Sequence, residues 1–187
     1  MQVQALEGGF TDQAVESARA FRSLLDAMSR PGSVQTLDGA EPPPPLGRAA
    51  GIVALTLCDH ATPVWLAPSV STDAVQSWLI FHTGAVLVAR SDAAFAFGTW
   101  DEMLPLDDFA IGTPDYPDRS ATLVIEVPEL GDQHSLTGPG IQTETRLTVP
   151  CVQAFQANRA LYPEGWDAVL TCGDQVAALP RTVIVET

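Results

Sequence analysis

Apolar residues return at Val15, Ala18, Phe21, Leu25 and Met28 in three- and four-residue steps. That spacing predicts a helix with one face to bury. Asp12 stands where a cap belongs, and Pro31 disfavours helical geometry at Arg30, so the helix is expected to end there. Gly32 then turns the chain. The five apolar side chains are expected to cover the core, leaving Arg22 and Arg30 free for a partner or dimer contact.

The pattern changes period along the chain. Ser33 to Leu37 alternates as a short strand does, and Pro42 to Pro45 make a stiff extended crossing. Arg48 to Leu57 is apolar nearly all round, as in a buried helix. Val64-Trp65-Leu66 is a short strand, and Ser71 or Thr72 caps a third helix through Val75, Trp78 and Leu79 that stops near His82 and Gly84. Ala85 to Ala89 is continuously apolar, which predicts a strand covered on both faces. Ala94 to Phe97 reads as another strand, and Thr99-Trp100-Asp101-Glu102 fits a capping box.

In the second half strands and turns dominate. Ala121 to Val127 is a strong strand, with Ser135–Thr137 and Arg146–Val149 continuing a meander. Pro150 suits the first position of a helix reaching Leu161. Ala168–Cys172 and Gln175–Leu179 flank Gly173-Asp174 as a hairpin, and Arg181 to Glu186 is a final strand. Helices alternating with strands, then hairpins, predict one α/β domain over residues 1–187, its mixed sheet sandwiched by helices.

Composition narrows the chemistry. With 46% apolar and 17% charged residues, the 187-residue chain is of globular type. The first thirty residues lack a basic start followed by an apolar run, and no run reaches the roughly 20 residues of a membrane span, so a cytoplasmic protein is expected. Cys58, Cys151 and Cys172 are odd in number and widely spaced, which suits reduced thiols rather than a disulfide framework or a zinc site.

A formal net charge of −14 leaves no basic stripe for nucleic acid. All nine positive residues are arginines. Without lysine the chain can form neither a pyridoxal phosphate Schiff base nor a Walker-type phosphate loop. Any side-chain grip on an anion falls to arginine.

Three residues are candidates for catalysis. His82, near a helix C-terminus, is the best general-acid candidate, although the dipole alone favours an imidazolium there. Asp59, beside Cys58 and His60, suggests a ligand cluster on paper, but consecutive residues point apart and no metal-site spacing supports it. Arg119, within Asp118-Arg119-Ser120, sits on a loop before a strand, where sites are common; a self-satisfied turn explains it equally. Gly138-Pro139-Gly140 reads as a tight turn, and no Ser-His-Asp or Cys-His arrangement is recognisable.

Several segments in order resemble the H-subunit (PhnH) family of the bacterial carbon–phosphorus lyase system for phosphonate use. They are Phe21-Arg22 with Ala27 to Gly32, Leu55 to Asp59 running to Thr62–Leu66, and Phe81-His82-Thr83. Ala121-Thr122-Leu123, Leu136 to Ile141, Tyr162 to Asp167, Leu170 to Gly173 and Leu179 to Thr182 follow. The resemblance implies a homodimer with a three-layer α/β/α fold and a mixed central sheet, similar to pyridoxal-phosphate transferases but without the cofactor. It also implies partnership with the G, I and J subunits of a core complex. That complex replaces the adenine of ATP with an alkylphosphonate, giving ribose 1-phosphonate 5-triphosphate. In the family the glycosyl transfer is attached to the I subunit and the radical step to J. The resemblance carries over no assigned catalytic residue, so a structural, non-catalytic subunit without cofactor or metal is expected. The alternative is an enzyme, or a subunit contributing to a site, that acts on an anionic sugar phosphate or nucleotide through His82, Asp59 and Arg119.

Overall fold

The computed structural model describes residues 6–187. Helix α1 spans Gln13–Ser29, with the Asp12 side chain accepting from the Val15 N–H at its start. Strand β1 (Gln35–Thr36) follows, then α2 (Arg48–Leu57), β2 (Val64–Leu66) and α3 (Asp73–Thr83). Thr72 Oγ1 caps α3 through the Val75 N–H, and Gly84 ends it at φ 71°, a left-handed conformation natural to glycine. Next come β3 (Phe95–Thr99), the single-turn α4 (Trp100–Met103), β4 (Thr122–Glu126), β5 (His134–Thr137) and β6 (Thr145–Leu147). Helix α5 (Val152–Ala160) precedes β7 (Asp167–Cys172), β8 (Gln175–Leu179) and β9 (Ile184–Glu186).

Six strands form one mixed sheet in the order β1-β8-β7-β4-β3-β2. Strands β2, β3, β4 and β7 run parallel, and the predicted hairpin adds β8 antiparallel to β7. Side-chain alternation sends Val124, Val169, Val176 and Ala178 into a core shared with α1, α2 and α3. Leu123, Ile125, Ala168, Leu170, Ala177 and Leu179 point to the other face. There the cover is not helical alone. Strands β6, β5 and β9 form a separate antiparallel sheet, and its Leu147, Leu136 and Val185 pack with Phe155 of α5 and with Trp166. No helix among the described residues is long and apolar enough to cross a membrane.

Five expectations need correction. The predicted meander and final strand build this second sheet instead of extending the first. Ala85–Ala89 is not a covered strand: only Leu87 bridges Val64, and Val86 is 55% exposed at the sheet edge. Pro150 precedes its helix by two residues, because Cys151 keeps an extended backbone and serves as the cap. The fourth correction is the largest. Helix α1 buries Ala20, Leu24 and Ala27, whereas Val15, Phe21 and Leu25 are 43%, 50% and 56% exposed. The predicted face is thus turned about 120° away from the core, at about 100° per residue. Ala20 and Ala27 let the helix backbone settle close to the sheet, which the bulkier stripe would hold off. Arg30 is not free either, since it pairs with Asp26 one turn earlier at 3.3 Å.

The segments that carry the family resemblance meet in space. Gly140, at φ 85°, lies so close to the C-terminus of α1 that a Cβ there would collide with the Ser29 carbonyl oxygen and press on Pro31. The Met28–Gly32 and Leu136–Ile141 segments are therefore two halves of one packing contact.

Candidate functional site

Arg181 is the most heavily bonded charged residue of the described chain. It follows β8, where Leu179-Pro180 ends the strand, and its guanidinium turns back over the amino ends of β7 and β4. Its Nε and Nη2 reach the two carboxylate oxygens of Asp167 at 3.2 and 2.6 Å, and its backbone N–H donates to Asp167 Oδ1 at 2.8 Å. Nη1 donates to the carbonyls of Pro117 and Pro163, and Nη2 also donates to Ser120 Oγ. A planar fork of five donors can serve all these acceptors at once; an ammonium could not. Beside it, Asn158 is buried and bridges the Trp166 backbone, donating to its carbonyl at 2.8 Å and accepting from its N–H at 2.9 Å. Together they close the Tyr162–Asp167 turn onto the sheet.

These contacts border a shallow groove of about 280 Å³, lined among others by Asp118, Tyr162, Arg181 and Thr182. It lies at the amino ends of the parallel strands. Ligands of open α/β sheets gather at the carboxyl ends. With its donors already committed to protein acceptors, the Arg181 cluster works as a clip.

The three predicted site residues lie in different surroundings. His82 is in the last turn of α3, its Nε2 2.9 Å from the Leu6 carbonyl and its ring against Trp78 and Phe81. Trp78 makes the companion contact, donating from Nε1 to the Glu7 carbonyl at 3.0 Å. His82 thus pins the chain ahead of α1. Asp59 closes its own exposed turn: Oδ1 accepts from the Ala61 N–H at 2.8 Å, which, with help from Thr62, holds its carboxyl below the usual range. Arg119 stacks on Tyr116, 4.1 Å from the ring centre. No hydrogen bond, ion pair or groove among those described joins any two of the three. The sequence reading missed Arg181, Asp167 and Asn158 as a unit; the signal was the Leu179–Thr182 and Tyr162–Asp167 segments, which contain all but Asn158.

At the carboxyl ends of the strands, a second groove of about 400 Å³ is lined by Thr99, Trp100, Asp101, Glu126, Val127, Pro128 and Pro150. Partial burial raises the Glu126 carboxyl above its ordinary range, against a hydrogen bond from the Gly47 N–H at the start of α2. Asp101 and Glu126 are the charged residues of this lining, and both are acids, so a phosphate would be repelled. Next door, Glu102 is anchored by the Ser69 N–H and Oγ at 2.9 and 2.6 Å and by Thr99 Oγ1 at 3.0 Å. Burial disfavours its charge, but these donors prevail and hold it below the usual carboxyl range. The described residues contain no group of three or more His, Cys, Asp or Glu placed to hold a metal ion.

The raised Glu126 gives a stability test. A carboxyl whose folded value lies above its unfolded one favours the fold at low pH, and that contribution disappears as pH rises through the folded value. Glu126→Gln is therefore expected to raise the thermal midpoint at pH 7 and to leave it unchanged near pH 4 or below. Melting curves of both proteins across that range check it.

Helices α1, α2 and α3 on one face of a mixed sheet, a small sheet with α5 on the other, and an arginine clip joining distant segments define an α/β protein. The sequence matches the family described as bacterial phosphonate metabolism protein (PhnH) over residues 8–186, and the chain belongs to that family. It is 45% identical to the alpha-D-ribose 1-methylphosphonate 5-triphosphate synthase subunit PhnH of Rhizobium meliloti (strain 1021), over 99% of this chain and 98% of that protein. It is also 34% identical to the putative C-P lyase subunit protein HtxG of Stutzerimonas stutzeri, over 91% of this chain and 86% of that one.

Proposed function

We propose that this chain is a subunit of the complex that forms α-D-ribose 1-methylphosphonate 5-triphosphate in phosphonate breakdown, and that it supplies structure instead of reacting groups. The observation that carries the subunit reading is the end-to-end match to a synthase subunit at 45% identity. The non-catalytic role is supported by the separate contacts that already engage His82, Asp59 and Arg119 and by the acidic lining of the carboxyl-end groove. We further propose that it works as a homodimer with the G, I and J subunits, in the cytoplasm, where unpaired thiols such as the partly exposed Cys151 and Cys172 stay reduced.

Co-purification of the full chain with the G, I and J proteins tests the partnership; a chain that stays apart from all three in their presence overturns it. Adenine release from ATP and methylphosphonate by the reconstituted complex tests the role. His82→Ala, Asp59→Asn and Arg119→Ala are each expected to leave that rate within about twofold, where loss of a general acid would cost about 100-fold or more.

A further inference from the structure

We infer that residues 85–89 are an open edge of the main sheet, onto which another subunit of the complex adds an extended strand. The Val86 carbonyl accepts from the Val64 N–H at 2.8 Å, and the Val88 N–H donates to the Val64 carbonyl at 2.9 Å. Both residues thus turn their polar groups towards β2. Successive residues of an extended backbone point these groups in opposite directions, so Leu87 and Ala89 turn theirs outward. Among the described residues, the Leu87 N–H and carbonyl and the Ala89 N–H have no backbone partner. Such a row is a template for one more strand, and edges are normally blunted by lysine, proline or charge. Ala85-Val86-Leu87-Val88-Ala89 has none of these.

The surroundings say what the added strand is like. Thr83 Oγ1 accepts from the Ala85 N–H at 3.0 Å, which fixes the edge to the end of α3. Ile80, Phe81 and Val86 stand exposed there, an apolar strip for alternate side chains of the incoming strand. Both ends of the edge are acidic. At one end lies the Asp59–Thr62 turn, since a Cβ added to Gly84 would sit 3.8 Å from His60 Cβ, and at the other Asp92 follows. Asp59 and Asp92 are exposed, and neither has an ion-pair partner among the described residues. The neighbouring cation, Arg90, is engaged by the Glu102 and Leu104 carbonyls and by Asp108. The occupant that fits is an extended apolar segment with arginine or lysine beside it, from a different protein chain. A second copy, at net charge −14, would bring the same acids to the same ends.

The inference rests on the subunit reading and adds a surface and a mode of contact. Binding of the full chain to the purified G, I and J proteins, with hydrogen exchange followed at single amides, tests it. Ala89 has φ −71° and an outward N–H, so Ala89→Pro removes a donor without changing the backbone. Its thermal midpoint is expected at or above the wild-type value, and its affinity for the other subunits at least about tenfold lower. Val86→Lys supplies the charge that guarded edges carry and is expected to weaken binding as much. In the wild type the Leu87 and Ala89 amides should exchange at least about tenfold more slowly in the complex than in the isolated chain. A chain that stays apart from G, I and J overturns the subunit reading and this edge together. Assembly indifferent to both substitutions leaves the subunit reading standing and overturns the edge. Weakening by Val86→Lys with no slowing at Leu87 makes the patch a side-chain contact and overturns strand addition. Slow exchange at Leu87 and Ala89 in the isolated chain, lost on dilution, gives the edge to a second copy and overturns the pairing with a different subunit.

Discussion

Replacing Arg181 with methionine is expected to lower the free energy of unfolding by about 3–5 kcal/mol, a large share of the 5–15 kcal/mol typical of a domain. The guanidinium and the Asp167 carboxylate retain only 12% and 25% of their side-chain exposure. Removing the cation strands a largely buried carboxylate beside two carbonyls and a hydroxyl that lose their donor. Arg181→Lys is expected to recover only part of the loss, since one ammonium cannot face four acceptor groups. Arg181→Met with Asp167→Leu should be more stable than Arg181→Met alone, because the second change removes the stranded charge. Urea unfolding of the three variants checks the order, and a single variant as stable as the wild type would sink the clip. Two signature segments, Tyr162–Asp167 and Leu179–Thr182, and the Pro117–Ser120 turn hang on this one side chain.

The second large effect is at Trp78. Its ring is fully buried in the core under α3, and its Nε1 donates to the Glu7 carbonyl. Trp78→Ala is expected to cost about 3–5 kcal/mol through the cavity it leaves. Trp78→Phe keeps most of the volume and loses mainly the tether, about 1 kcal/mol. His82→Ala removes the parallel tether to Leu6 without opening the core and should resemble Trp78→Phe. Denaturation midpoints rank the three, and hydrogen exchange at Gly8 and Gly9 should rise in all of them. An unchanged exchange rate in His82→Ala would mean that the imidazole does not hold this segment.

His82 illustrates why the candidate site was only partly legible. A histidine in the last turn of a helix looks the same in sequence whether it faces solvent, substrate or a neighbouring carbonyl. The Leu6 carbonyl that meets it is 76 residues away along the chain. Asp59 and Arg119 were weighed against local turns, and their observed contacts, to Ala61, Thr62 and Tyr116, are local. Arg181 escaped as a cluster because its acceptors come from Pro117, Ser120, Pro163 and Asp167, which no spacing rule connects.

The sequence by itself determined what short-range physics controls. Side-chain oxygens at Asp12 and Thr72 started helices where capping predicts, Gly84 and Gly173 placed a stop and a hairpin turn through positive φ, and α2 and β2 fell on the predicted residues. Charge and the absence of lysine excluded whole chemistries before any fold was known. Tertiary structure decided which apolar stripe of α1 faces inward, which strands share a sheet, and where Arg181 finds its acceptors. Periodicity states that a face is apolar, not which surface will cover it. On α1 two apolar faces compete, and the one with Ala20 and Ala27 went in because small side chains allow close approach to the sheet. The larger side chains of Phe21 and Leu25 were left outside, where the apolar area they expose is available to a partner.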